Sequence, residues 1–410
     1  MNIDKTLEEL YSLTTMGIKL GLENISEILS LMGNPQDNYK IIHIAGTNGK
    51  GSTASILEVA LLEAGYRVGK YTSPHIEKFN ERIVVNREQI SNEKISYYYK
   101  KIRKIITENN LHPTFFEITT AMMFEYFKEC KCEYVVLETG LGGRFDATNV
   151  CKPEVSIITN ISLDHTSFLG NTLSEIAFEK CGIIKDKIAI IADSKKELLD
   201  AVREKTTNYI DVVEKYKGIK FQLTDDFHTK IYLNNRIFDL SLYGEYQVNN
   251  FLGAYEALKQ LDITDEIIER AVSKVFWPGR FEIFSKKNPL IILDGAHNVD
   301  AASRLRENIL SKYRREDIIS IVSILEDKDR IGILEEIAKF SSDIIFTSLE
   351  DFHRGTTGES LLKLVDGFQT QRIENNLNRA FDLALQTNKI IVICGSFYLL
   401  SKFKGNIKKG

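Results

Sequence analysis

A lysine and a serine set among glycines, Gly46-Thr47-Asn48-Gly49-Lys50-Gly51-Ser52, are the residues of this chain best placed to do chemistry. Glycines let a backbone turn tightly and aim successive N–H groups at an anion. Lys50 adds a point charge, and the hydroxyl of Ser52 or Thr53 can reach a cation riding on phosphates. The spacing is tighter than in the common phosphate loop: only Thr47 and Asn48 separate Gly46 from the Gly49-Lys50 pair, and Gly51 stands before Ser52. An ordinary glycine turn is the competing reading. The lysine, the serine and the apolar flanks on both sides favour a grip on a nucleoside triphosphate.

Ser73, Glu138 and His165 form a second set. Glu138 suits a magnesium ion, which prefers hard oxygen donors, and Ser73 is acceptable to it. An imidazole such as His165 is better matched to manganese. Each residue also has a plain alternative: a turn before Pro74, an ion pair, a hydrogen-bonded loop histidine. Lys180 stands out for its position. Thr172 and Glu175 carry the capping-box pattern that starts a helix. On that helix Leu173, Ile176, Ala177 and Lys180 share the inward face. Such a lysine either snorkels to solvent or loses its proton through desolvation. A neutral amine can take up carbon dioxide as a carbamate and then behave as a carboxylate ligand. Further on, Asp294-Gly295-Ala296-His297-Asn298 follows an apolar run. Asp294 or His297 could reach a nucleotide or an amino acid, or Asn298 simply caps a helix.

The elements that must carry these residues alternate short β-branched runs with amphipathic stretches, the pattern of an α/β fold. Strands are expected at Ile41–Ala45, Arg67–Tyr71, Tyr134–Glu138, Val155–Asn160 and Ile188–Ala192. A hairpin is expected within Gly218–Tyr243, turning at Asn234-Asn235, and a helix over Gln247–Leu261. A second series follows at Leu290–Asp294, Ile318–Ser323, Asp343–Thr347 and Lys389–Cys394. The junction falls near Trp277-Pro278-Gly279-Arg280, which divides the chain into 1–277 and 284–410 with a linker near 278–283. In open α/β sheets ligands collect beyond the carboxyl ends of strands, where Ser73, Glu138, His165 and Asp294 all fall.

At 410 residues the chain has room for two domains, and a net charge of −4 argues against broad nucleic-acid or membrane-surface binding. Cys130, Cys132, Cys151, Cys181 and Cys394 are scattered and read as reduced thiols of a cytoplasmic protein. No apolar run approaches membrane length. With no long apolar interface pattern, a monomer is expected.

Together these motifs resemble the folylpolyglutamate synthase and dihydrofolate synthase family, a branch of the Mur ligases. The resemblance runs through Leu20-Gly21-Leu22, Gly46–Ser52, Thr72-Ser73-Pro74-His75, Phe79-Asn80-Glu81-Arg82-Ile83 and Glu138–Arg144. It continues in Asp146-Ala147-Thr148-Asn149, Leu163–Thr166, Glu179-Lys180-Cys181-Gly182, Pro278-Gly279-Arg280, Asp294–Asn298, Asp327-Lys328-Asp329 and Gly395-Ser396-Phe397-Tyr398. It implies a Mur-ligase-type P-loop ATPase domain with a mostly parallel sheet and a smaller Rossmann-like C-terminal domain. The implied activity is ATP-dependent addition of L-glutamate to dihydropteroate or a reduced folate through an acyl phosphate, with the two domains closing to complete the site.

By the same resemblance Gly46, Thr47, Asn48, Gly49, Lys50, Gly51 and Ser52 hold ATP, with Ser52 near the first of two Mg2+ ions. Ser73, Glu138 and His165 hold the second, and Lys180 matches a lysine carried as a carbamate. Asn250, Arg280 and Asp294 match nucleotide contacts. His297 and Ser396 face the incoming glutamate, His297 being a candidate base. Thr114, Phe116, Asp146 and Ala147 resemble a pteroate-binding set. Two departures stand out: Thr139 replaces an aliphatic residue, and Asp351–Thr356 lacks an expected Pro-Arg pair. A Mur-type ligase for a cell-wall precursor shares much of this pattern. A nucleotide-binding regulatory module would need the loop but neither the inward lysine nor Asp294–Asn298.

Overall fold

Apolar runs without polar alternation become strands buried on both faces, as parallel sheets covered by helices require. The computed structural model describes residues 3–13, 21–350, 354–365 and 371–407. Leu20 and residues 351–353, which belong to motifs noted above, lie outside them. The chain divides into two compact units. The first comprises Met1–Gln222, Lys230–Ser241 and Gln247–Val275; the second comprises Leu223–Thr229, Leu242–Tyr246 and Phe276–Gly410.

The first unit is built on eight strands: β1 (Lys40–Ala45), β2 (Val68–Tyr71), β3 (Ile83–Val85), β4 (Glu88–Gln89), β5 (Tyr134–Glu138), β6 (Val155–Ile158), β7 (Ile188–Ile191) and β8 (Tyr209–Asp211). Their order is β4-β3-β2-β5-β1-β6-β7-β8. Strands β2 and β5 to β8 run parallel with β1, while β3 and β4 form an antiparallel edge. Ile25, Ile28, Tyr98, Ile102, Met122, Phe124 and Phe127, from helices Glu23–Leu31, Asn92–Glu108 and Phe115–Glu129, belong to one buried core. Ile176, Ala177, Leu198 and Val202, from Leu173–Cys181 and Lys196–Lys205, belong to another. A fully buried side chain of this size contributes about 1.5–3 kcal/mol.

The interval Gly218–Tyr243 holds more than a hairpin. β9 (Lys220–Leu223), β10 (Thr229–Leu233) and β11 (Arg236–Leu240) form a three-stranded sheet. Asn234 and Asn235 make the expected turn, both left-handed at φ 52° and 59°. A third strand is the natural completion, because two strands alone are marginal in water.

The second unit has β12 (Glu282–Ser285), β13 (Ile291–Asp294), β14 (Ile318–Val322), β15 (Asp343–Phe346), β16 (Gln371–Ile373) and β17 (Ile390–Cys394), in the order β12-β13-β17-β14-β15-β16. All pairs are parallel except β12 with β13. The two edge strands, β12 and β16, escaped the sequence pattern because they are short and partly polar. Among the described residues no helix is long and apolar enough to cross a membrane, and all five cysteines are free thiols.

Candidate functional site

Strand register assembles the site of the first unit. Ile44 of β1 pairs with Glu138 of β5, Ala45 with Ile158 of β6, and Tyr71 of β2 with Leu137. The glycine loop, Glu138, Ser73 and the Thr159–Ser162 segment therefore leave the sheet side by side at its carboxyl edge. β1 lies between β5 and β6 at the point where the strand order reverses, the place where such sheets bind ligands.

The loop is stapled to the segment after β6. Thr47 N donates to Asn160 O at 2.9 Å and Asn48 N to Asn160 Oδ1 at 2.7 Å. Thr159 Oγ1 donates to Asn48 O at 2.6 Å, and Ser162 N donates to Thr47 Oγ1 at 3.0 Å. The helix Lys50–Glu63 starts at Gly49, and Thr53 N donates to Gly49 O at 2.9 Å. The amides of Lys50, Gly51 and Ser52 precede that bond and face out of the helix start, where an anion is favoured. Lys50 Nζ donates to Gly46 O at 2.9 Å and Thr47 O at 3.2 Å, and lies 4.0 Å from Glu138 Oε1. Its ammonium thus hangs directly over the loop.

Gly49 has φ 86°, and a Cβ there would meet Asn250 Oδ1 at 2.3 Å. A left-handed non-glycine residue costs about 1–3 kcal/mol before any clash. Gly49→Ala is therefore expected to weaken ADP binding by about tenfold or more. Calorimetric titration with ADP measures this, and unchanged affinity would contradict it. Asn250 is in turn held by Gln247, one helical turn earlier: Asn250 Nδ2 donates to Gln247 Oε1 at 2.8 Å, and Gln247 Nε2 lies 3.5 Å from Ser52 Oγ.

Glu138 is buried, and its Oε2 accepts the Ser73 N–H at 3.2 Å. Lys50, Ser73 and Glu138 are thus brought together. His165 follows β6 in a left-handed conformation, with Nε2 3.8 Å from Asp164 Oδ1. Among the described residues no three His, Cys, Asp or Glu side chains cluster as a metal cage. Glu138 and the serine oxygens are hard donors of the kind a magnesium ion accepts alongside waters and phosphate oxygens, whereas the His165 imidazole is better matched to manganese.

The helix Leu173–Cys181 begins with the expected capping box, since Thr172 Oγ1 accepts from Glu175 N and Glu175 Oε2 from Thr172 N. Lys180 turns inward and is 3 % exposed. Burial, reinforced by the Lys50 charge and opposed by Asp164 and Asp146, brings its amine down to about 7. The snorkelling alternative is set aside by this burial. Arg144 N donates to Glu179 O at 2.8 Å, and Asn149 Nδ2 donates to Arg144 O at 2.9 Å and Gly182 O at 3.1 Å. These bonds dock the loop after Glu138 onto the lysine's helix.

The expected pteroate set is engaged locally. Asp146 accepts from Gly140 N, Leu141 N and Thr148 N at 2.8, 2.8 and 3.0 Å, and from Thr148 Oγ1. Burial raises its pKa despite these bonds. Thr114 caps Phe115–Glu129 through Glu117. Phe116 lies 5.9 Å from the Tyr71 ring, and Ala147 is buried just after Asp146.

Arg280, Asp294, His297 and Ser396 belong to the second unit. Asp294 Oδ2 accepts from Phe281 N at 2.8 Å and Oδ1 from Ala296 N at 2.9 Å. Burial raises its carboxyl to about 6, moderated by Arg280 and these bonds. His297 Nδ1 lies 2.8 Å from Gly295 O. A carbonyl only accepts, so Nδ1 carries a proton. The Phe397 ring lies 4.7 Å from the Arg280 guanidinium and 5.7 Å from the His297 ring. Ser396 Oγ accepts from Tyr398 N at 3.1 Å. Asn298 caps Val299–Leu310 through Ala301 N at 2.9 Å, as its alternative reading held.

Sequence reasoning missed Asn149, Thr159, Asn160 and Gln247 as supports of the site. The place of Thr159-Asn160 at a strand end was visible; their bonds to a loop more than a hundred residues away were not.

Residues 44–258 match the Mur ligase middle domain, and residues 279–397 the glutamate ligase domain of Mur ligases. The chain is 34 % identical over 418 residues to the dihydrofolate synthase/folylpolyglutamate synthase of Bacillus subtilis, covering 96 % of each protein. It is 30 % identical to the Escherichia coli protein of the same name, covering 96 % of this chain and 92 % of that one. Among solved structures, E. coli FolC in complex with DHPP and ADP superposes with a TM-score of 0.89 at 29 % identity, covering 100 % of this chain and 98 % of that one. The Yersinia pestis folylpolyglutamate synthase/dihydrofolate synthase complexed with AMPPNP and Mn ion gives 0.85 at 29 % identity, with the same coverage.

Proposed function

The chain belongs to the dihydrofolate synthase/folylpolyglutamate synthase family of Mur ligases, and from that premise we propose that it carries both of that family's activities. It is an ATP-dependent ligase that joins glutamate to a folate-type acid, with a divalent metal. Both dihydropteroate and a reduced folate are its acceptors in this reading, supported by relatives whose names pair the two activities. The observation that carries the chemistry is the meeting of Lys50, Glu138 and Ser73 at the switch point of the sheet, with the buried amine of Lys180 subject to the Lys50 charge.

The glycine loop and the start of helix Lys50–Glu63 cradle the phosphates of ATP, and Asn250 packs against the loop. Lys50 Nζ leaves the Gly46 and Thr47 carbonyls for the phosphoryl oxygens and offsets their charge as the substrate carboxylate attacks. Ser52 would hold one magnesium ion and Ser73, Glu138 and His165 a second, and such ions would supply charge neutralisation on the transferring group. Lys180, as its carbamate, adds an anionic oxygen donor beside a site otherwise served by one carboxylate. Arg280 and Asp294 contact the nucleotide. His297 presents Nε2 as the base that takes a proton from the glutamate ammonium, and Ser396 binds that amino acid. Attack of the freed amine on the acyl phosphate gives the amide and releases phosphate. A cytoplasmic monomer completes the reading.

Phosphate release assayed with dihydropteroate, tetrahydrofolate and a cell-wall nucleotide precursor, each with and without glutamate, tests it. Glutamate-dependent release with both acids is expected. Release with one alone would remove the bifunctional reading. Release only with a cell-wall nucleotide precursor would overturn the folate reading altogether.

A further inference from the structure

The last described helix, Phe397–Ile407, touches the segment Pro278–Ser285 at both of its ends. At its start the Phe397 ring lies 4.7 Å from the Arg280 guanidinium. Two turns on, Lys404 Nζ donates to both carboxylate oxygens of Glu282, at 2.9 and 2.7 Å. Only 9 % and 10 % of the two side chains is exposed. Glu282 Oε2 also accepts the Gly279 N–H at 2.7 Å.

Arg280 stands between two residues with positive φ, Gly279 at 70° and Phe281 at 44°. A bulky residue rarely holds such a conformation unless its surroundings over-determine it. Here they do. Glu282 holds the Gly279 N–H, Gly295 N donates to Gly279 O at 2.8 Å, and Asp294 accepts the Phe281 N–H at 2.8 Å. Two of these three bonds come from the strand end that bears Asp294. The third depends on a carboxylate clamped by Lys404.

We propose that Lys404 and Glu282 are positioning residues for Arg280: the buried pair fixes the backbone on either side of the arginine, so that its guanidinium is preset for the nucleotide. A buried ion pair is weak evidence of a stabilising role, because apolar replacements are often neutral or favourable. Its bond to Gly279 gives this pair a directional task instead. The helix acts as a strut, with the ring of Phe397 flanking the guanidinium and the ammonium of Lys404 anchoring the peptide that leads into it. The proposal rests on the reading of Arg280 as a nucleotide contact, and the test separates the two.

Lys404→Met, Glu282→Gln, Lys404→Arg and Arg280→Ala are compared in the full-length protein for the KM of each substrate, kcat and Tm. Lys404→Met and Glu282→Gln are expected to raise the KM for ATP about fivefold to tenfold, with kcat and the KM for the folate acid within about twofold. Lys404→Arg keeps the positive charge and can donate to both carboxylate oxygens of Glu282, so it is expected to retain most of the affinity for ATP. An unchanged KM for ATP in Lys404→Met beside a large rise in Arg280→Ala overturns the strut while leaving the arginine reading intact. No effect in Arg280→Ala overturns the arginine reading, and the strut with it. A uniform loss across all substrates with a fall in Tm reduces the pair to a structural role and also overturns the proposal.

Discussion

Lys50→Met is expected to lower turnover by on the order of a thousandfold, while the protein keeps its fold and much of its affinity for ADP. The reason lies in where the ammonium sits. It is held by Gly46 O and Thr47 O directly above the loop, 4.0 Å from the Glu138 carboxylate. A charge there does most when negative charge on the transferring phosphoryl group is being redistributed, and less when product is merely bound. Methionine keeps the packing of the stem and removes only the ammonium. A second effect follows from the same substitution. The Lys50 charge helps to depress the Lys180 amine, so its removal lets Lys180 hold its proton to higher pH. The residual activity of Lys50→Met should therefore need a more alkaline pH than that of the unmodified enzyme. Phosphate release measured from pH 6 to pH 9 checks both points. Turnover within a factor of about ten of the unmodified enzyme would remove Lys50 from the chemistry.

Lys180→Ala is expected to cost about a hundredfold or more in turnover and to be partly restored by a small carboxylate such as formate or acetate. The substitution empties a buried volume in which an added carboxylate can stand for the oxygens of the proposed carbamate. In the unmodified enzyme the amine is lowered to about 7, so the neutral form that captures carbon dioxide grows as pH rises through neutrality. Protein stripped of carbon dioxide should thus regain activity on adding bicarbonate at pH 8 and little at pH 6. Stability should rise with pH over the same range. With the folded value near 7 and the unfolded value in the ordinary lysine range, the unfolded chain binds more protons throughout that window. Burial of this lysine therefore penalises the folded state at neutral pH, and the penalty fades as pH rises towards the unfolded value. Lys180→Met, which removes the ionisable group and keeps the volume, should raise Tm at pH 7 while activity falls. An active Lys180→Met protein, or no response to bicarbonate or added carboxylate, would remove the carbamate from the reading.

How much of this was legible beforehand differs from residue to residue. The strand ending at Glu138 and the helix opening at Thr172 were plain, because each rests on a local pattern: a β-branched run in one case, a capping box in the other. The inward place of Lys180 followed from helical periodicity alone. The edge strands β4, β8, β12 and β16 were not legible, since short and partly polar strands carry little pattern of their own, and β3 was missed because three residues are too few to show a period. The local commitment of Asp146 was equally hidden, whereas that of Thr114 was open to the same capping-box reading as Thr172 and was not drawn. A carboxylate that accepts four bonds from its own loop reads in sequence just like one facing a ligand.

Residue type and spacing by themselves determined the glycine loop between strand and helix, the α/β class, the two series of strands and the identity of nearly every polar residue at a strand end. These depend on neighbours within a few positions, where periodicity, caps and glycines act directly. Tertiary structure alone decided that Asn160 and Thr159 hold the loop, that the Lys50 charge presses on Lys180, and that Lys404 reaches Glu282 across more than a hundred residues. Such relations depend on strand order, register and burial, and these emerge only when distant elements pack together and exclude water.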